Sequence, residues 1–242
     1  MLFRSTNCFK YELFEYPFVH NFRKNIRFFA DCGVKGVFNE GMHREHEEAD
    51  FAVTYELRSY LLAKLMWNPY MSEAEFQHHM EEFCHAFYGE GYYFIIHYLK
   101  LFEDYSGECA GYDALKEDVV MGEGNECRAS PVIRKEQAGY FAEKANALLD
   151  KALLRAKEEQ VKRIQKLKTV VLYYELFWTM RNILDHGSRQ ERQTVITKNE
   201  ELIQRIFDQK LVITFWGQSR ESQNKELETM REIPPSEWNY KW

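Results

Sequence analysis

The most constraining stretch of this sequence is a helix, a glycine and a strand in direct succession near the N-terminus. Phe22, Ile26 and Phe29 recur at helical spacing within His20 to Cys32, and Gly33 follows where a glycine stops a helix. Val34-Lys35-Gly36-Val37-Phe38 then changes the period. It is short, β-branched and aromatic and bounded by glycine, which predicts a buried-type strand over 34–38. Helix, glycine and strand together are the αβ step of a parallel α/β architecture. A parallel strand needs neighbours, yet no comparable run recurs through the stretch that follows, and only the first twenty residues offer a candidate partner.

Everything after the polar loop Asn39 to Asp50 reads as helix. Asp50 is a candidate N-cap for a helix running to Met66 or Trp67, where Asn68-Pro69 stops it. Ser72 and Glu75 form a capping box for a helix striped by Phe76, Met80, Phe83 and Phe87 and ended by Gly89. A third helix is predicted from Tyr92 to Tyr105. The glycine-bearing stretch Ser106 to Ser130 reads as a loop longer than usual connections, and Ser130-Pro131 opens a helix predicted to run through Lys157. Helices over Glu158 to His186 and Ser188 to Gln209, a short strand over Leu211 to Trp216 and a polar tail from Gly217 complete the chain.

The residues carry a resemblance. Asn25-Ile26-Arg27-Phe28-Phe29 and Gly33 to Phe38, then Glu56 to Pro69 with its Trp-Asn-Pro end, then Glu82-Phe83 and Phe87-Tyr88-Gly89, resemble the end of a bacterial domain family of unknown function. That family is related to alpha-glucuronidase-type glycoside hydrolases. The likeness is close over about residues 9 to 105 and looser over the later helices. It implies a mostly α fold in which the closing βα piece of a (β/α)8 TIM-type barrel precedes an all-helical domain. The boundaries expected are 1–49 for the end of the barrel, 50–216 for the helical domain and 217–242 for the tail. A complete barrel takes eight strands and about 250 residues, so most of it would lie upstream of Met1. The chain is then a truncated product, a separately encoded half or a deliberately cut piece. Its exposed strand edge would drive self-association or pairing with the missing portion.

Barrel chemistry sits at the C-terminal ends of the strands, and Asn39-Glu40-Gly41 occupies that end here. Glu40 is the candidate catalytic carboxylate. Asn39, Glu40 and Arg58 are the candidate substrate-binding residues. The family pattern has an acidic residue followed by glutamine or glutamate at 39 and 40, and Asn39 departs from it, which counts against catalysis. Glycoside hydrolysis uses two carboxylates flanking the bond, and Glu40 supplies only one. Arg58 falls within an apolar face of Phe51, Tyr55, Leu62, Leu65 and Met66, where a guanidinium demands a partner. A carboxylate, with Glu40 and Glu56 as the candidates, or several backbone carbonyls is expected there, and pairing outranks substrate contact.

Other motifs have plainer accounts. Glu75-x-x-His78 and Glu82-x-x-His85 copy the di-iron bundle motif but share one helix instead of facing across two. His43-Arg44-Glu45-His46 lacks His-Glu-x-x-His spacing. No metal and no other cofactor is expected. The five cysteines are odd in number and form no C-x-x-C pair, so free thiols are expected. Leu149, Leu153 and Leu154 make Lys151 to Lys168 an amphipathic packing segment rather than a basic patch. A net charge of -6 argues against nucleic acid. No run reaches the ~18 apolar residues of a membrane span, and no signal peptide is visible at the N-terminus, which reads as cytoplasmic, although full-length relatives would be compatible with secretion.

Three functions fit these features. The first is the C-terminal fragment of a carbohydrate-active, glycoside-hydrolase-like protein acting on a glycan or oligosaccharide in the intact protein. The second is a non-catalytic carbohydrate- or protein-binding helical module. The third is a folded remnant without function.

Overall fold

The computed structural model describes residues 2–5, 13, 19, 21–40, 54–106, 137–211, 225 and 229–238. Among these, helix dominates. Strand β1 (Leu2–Ser5) is followed by helix α1 (Phe22–Asp31), strand β2 (Val37–Glu40), then α2 (Tyr55–Trp67), α3 (Glu73–Tyr88) and α4 (Tyr92–Ser106). Helices α5 (Ala138–Leu153), α6 (Glu158–His186) and α7 (Arg189–Asp208) follow. Among the described residues no helix is long and apolar enough to cross a membrane.

The first elements form a βαβ unit. β1 and β2 pair in parallel, with Leu2 opposite Val37 and Ser5 opposite Glu40, and the crossover runs through α1. Ile26 is the buried residue of α1 and Phe22 and Phe29 pack beside it, as the stripe predicts. Gly33 at φ 74 closes the helix. Its N–H bonds to the Ala30 carbonyl at 2.9 Å, and the Val34 N–H bonds to the Phe29 carbonyl at 3.0 Å. These two bonds make a Schellman motif. They also correct the predicted strand, because Val34 spends its N–H on the helix end. Pairing therefore begins at Val37 and runs on to Glu40.

Helix α2 begins after Thr54, which is buried, rather than after Asp50, which lies outside the described residues. It ends at Trp67 before Asn68-Pro69, as expected. Its buried face is Leu57, Arg58, Leu61, Leu62 and Leu65, whereas Met66 is 46% exposed. In α3 the Ser72–Glu75 capping box is formed, and the deepest residues are Phe76, Met80, Cys84 and Tyr88. Phe83 and Phe87, expected in the stripe, are only partly buried beside it. The inward face is thus turned one position further, toward Cys84 and Tyr88. Gly89 at φ 66 ends α3, and a 3-10 turn, Gly89–Gly91, leads into α4.

The opening at Ser130-Pro131 and the loop before it lie outside the described residues. The helix predicted to run through Lys157 stops at Leu153, and Leu154 is 84% exposed. Lys157 has extended backbone and caps α6, its N–H bonding to Gln160 Oε1 at 2.9 Å. The basic stretch is thus a corner between two helices. α5 packs between α4 and α6, and α6 packs on α7. At their centre the Phe141 ring, fully buried, lies 6.0 Å from Phe102, 5.7 Å from Tyr105 and 6.0 Å from Tyr174. Edge and tilted pairings of this kind add to the stabilisation from burial itself.

Two long-range anchors were absent from the sequence reading. Glu103, buried in α4, accepts a hydrogen bond from the Val19 N–H at 2.8 Å and so ties the N-terminal segment to the helices. The segment read as a polar tail packs in its described part, where Met230, Pro235 and Trp238 are buried. Asn199 Nδ2 lies 3.1, 2.8 and 3.2 Å from the carbonyl oxygens of Met230, Arg231 and Ile233. Trp238 donates from its indole to the Ile233 carbonyl at 3.0 Å, with its ring 5.9 Å from Tyr173. Arg181 pairs with Glu237. Of the strand expected over 211–216, Leu211 forms an isolated bridge and the rest lies outside the described residues.

Candidate functional site

Asn39 and Glu40 are the last two residues of β2, opposite Arg4 and Ser5 of β1. The two strands therefore end level, and the backbone of Glu40 lies at the carboxyl edge of the parallel pair. In α/β architectures this edge is where binding groups collect, because the loops leaving it converge. The remaining polar loop after Glu40 lies outside the described residues, His43 to Glu48 among them.

Arg58 stands on the first turn of α2 and is 4% exposed, among Leu57, Leu61 and Leu62. Its burial follows from the apolar face the sequence shows. Glu56 is exposed, and residues two apart on a helix do not face each other, which removes it as the natural partner. The pairing of Arg58 with the Glu40 side chain lies outside the described residues.

The two Glu-x-x-His pairs of α3 are spent separately. Glu75 accepts from the Ser72 N–H at 2.9 Å and from the Ser72 hydroxyl at 2.8 Å. Glu82 accepts from the Tyr60 hydroxyl at 3.1 Å and meets His79 Nδ1 at 3.4 Å. His85 meets Glu90 at 3.5 Å, and its ring lies 5.1 Å from that of Tyr92. No group of three metal-ligating side chains occurs among the described residues.

Electrostatics make the Tyr60–Glu82 pair a fixed contact. Hydrogen bonds from His79 and Tyr60 hold the Glu82 carboxyl below its usual range. Burial, then the bond to Glu82 and its charge, push the Tyr60 hydroxyl up. The tyrosine stays a donor and the carboxylate an acceptor at neutral pH, so the pair orients groups and does not exchange protons.

A further feature went unread in the sequence, where Trp67-Asn68-Pro69 served as a helix stop and as part of the resemblance. Trp67 is 91% exposed and Tyr70 56% exposed. The Tyr70 hydroxyl donates to Asp31 Oδ1 at 3.0 Å, which together with the Asp31 charge raises its pKa, and the Arg27 guanidinium lies 5.6 Å from the ring centre. Two aromatics flanking Asn-Pro were the available signal, since proline fixes a corner and rings beside it have no helix face to turn inward.

Against known proteins, no curated sequence and no solved structure matches the chain. Residues 3–100 match a family model described as Domain of unknown function (DUF4838). The stretch from β1 into α4, which holds the strand ends, Arg58 and the Trp67 corner, thus carries the match to a family of unknown function.

Proposed function

We propose that this chain is the C-terminal part of a carbohydrate-active, glycoside-hydrolase-like protein, and that it contributes glycan contact without a complete catalytic pair. In this reading residues 2–40 are the closing step of a (β/α) barrel and the helices from α2 onward are its flank. The observation that carries it is the level ending of β1 and β2 at Ser5 and Glu40 after a crossover through α1. The βαβ step is the repeating unit of such barrels, and their substrates sit at that edge. Asn39 and Glu40 are the residues proposed to touch sugar hydroxyls, with Arg58 holding the neighbouring loop.

An oxocarbenium-like transition state needs an acid on one side of the bond and a base or nucleophile on the other, ~5 to 9.5 Å apart. Glu40 is one carboxylate. The expected result is therefore no turnover of aryl-glycosides or aryl-glucuronides by the purified chain. Turnover that disappears in Glu40→Gln would overturn the non-catalytic half of the reading. Failure to bind any oligosaccharide would overturn the carbohydrate half. The sheet, two-stranded among the described residues, is proposed to take the remaining strands from another polypeptide or a second copy, which sedimentation would reveal as association.

A further inference from the structure

Helix α2 hands over to α3 through a corner fixed by successive hydrogen bonds. The Asn68 N–H bonds to the Lys64 carbonyl at 2.9 Å, and the Met71 N–H closes a turn on the Asn68 carbonyl at 3.1 Å. Within that turn the Tyr70 N–H bonds to Asn68 Oδ1 at 3.3 Å. Pro69 stands at the second position, where its fixed φ suits the turn. The Ser72 capping box then starts α3 at once. Trp67 and Tyr70 are carried at either end of this stiff corner and both face solvent. Trp67 has no ring or cation contact from a described residue, whereas Tyr70 is held by Asp31 and Arg27.

Exposing an indole this fully is unfavourable, because its apolar area is left in water. The rigidity means that little side-chain or loop freedom remains to be lost when something covers it. The chemistry beside it narrows the occupant. Tyr70 is bordered by a carboxylate and a guanidinium, with the Asn68 amide in the same turn. A pyranose ring offers an apolar C–H face for an indole and a rim of hydroxyls that such groups can bond.

We infer that Trp67 and Tyr70 form a sugar-stacking subsite for a glycan chain, with Asp31, Arg27 and Asn68 as its hydroxyl-bonding rim. The inference rests on the glycan reading above and adds a binding surface on the helical flank, built from residues other than Asn39, Glu40 and Arg58.

The test is calorimetric titration of the whole chain with xylohexaose, cellohexaose and chitohexaose, for wild type, Trp67→Ala, Trp67→Phe and Tyr70→Ala. Wild type is expected to bind at least one of them. Trp67→Ala should weaken binding about tenfold or more, with Trp67→Phe in between. Thermal melts of the Trp67 variants should match wild type, because the side chain is 91% exposed. Undiminished binding by Trp67→Ala would overturn this subsite and leave the glycan reading standing. No binding by wild type would overturn both. A wild-type dimer that becomes monomeric in Trp67→Ala, with sugar binding unchanged, would assign the corner to a second copy and overturn the inference.

Discussion

Arg163 of α6 donates from Nη1 to the Phe87 carbonyl at 2.6 Å and lays its guanidinium 4.0 Å from the centre of the Phe87 ring. One side chain thus satisfies a carbonyl in the last turn of α3, where carbonyls lack internal N–H donors, and covers the ring of the same residue. Phe83 stacks on Phe87 at 5.2 Å and Tyr60 follows at 5.2 Å, with Lys64 Nζ 5.2 Å from the Tyr60 ring. The half-buried strip of rings has a cation at each end.

Arg163→Ala is expected to lower stability by about 1 to 3 kcal/mol, since it strands a carbonyl and uncovers a ring. Arg163→Lys should restore only part of this, because an ammonium cannot stack as a plane while reaching the carbonyl. Urea denaturation of the three proteins measures the order. Equal stability of the alanine variant and wild type would sink the claim.

Gly91 and Gly139 should respond oppositely to alanine. A Cβ on Gly91 would lie 2.6 Å from the Ala152 carbonyl oxygen and 3.1 Å from its Cα, and backbone atoms cannot rotate away. Gly91→Ala should cost about 1 to 3 kcal/mol by forcing α5 off the 3-10 turn. A Cβ on Gly139, in the first turn of α5, meets nothing within 4 Å. Gly139→Ala should raise stability by up to about 1 kcal/mol through helix propensity and a less flexible unfolded chain. Thermal melts of the pair decide it.

Acid should weaken the helix starts. Backbone and side-chain hydrogen bonds from Ser72 hold the Glu75 carboxyl below its usual range, and the Ser188 hydroxyl and N–H do the same for Glu191. A depressed folded pKa stabilises the fold above the unfolded value, and that contribution is lost as pH falls through the folded one. Wild type should therefore lose stability below about pH 4.3. The double variant Ser72→Ala, Ser188→Ala should be less stable near neutrality, with a shallower acid limb. Denaturant melts at about pH 7 and about pH 3 compare the slopes. An unchanged slope would show that the caps do not set it.

Cys84 and Cys32 should differ in reactivity. Burial, with a smaller contribution from the Glu81 charge, pushes the Cys84 thiol up to about 12, whereas Cys32 is exposed at the end of α1. Thiolate is the reactive form. Iodoacetamide at neutral pH should modify Cys32 in the native protein and reach Cys84 only after unfolding, as read by peptide mass mapping. Rapid native labelling of Cys84 would contradict the packing of α3.

The candidate site was legible in part. Asn39 and Glu40 follow a run whose period is that of a strand, and Arg58 falls in a stripe whose spacing is that of a helix, so strand-end placement and burial could both be read from local order. For Trp67 and Tyr70 the sequence offered only their place beside Asn68-Pro69, because exposure depends on what fails to cover a ring, and that is a property of the whole surface.

The same division runs through the fold. The sequence alone determined where most helices begin and end: the Ser72 and Ser188 boxes, the Gly33 stop and the Asn68-Pro69 break all act within a few residues. Tertiary structure decided which face of α3 goes inward, with Cys84 and Tyr88 buried where Phe83 and Phe87 are only partly so. It also decided that Val19 binds Glu103, and that Asn199 and the Tyr173–Trp238 ring contact hold the C-terminal segment. Each of these joins atoms far apart in the chain, and only chain closure around a common core brings them within hydrogen-bonding reach.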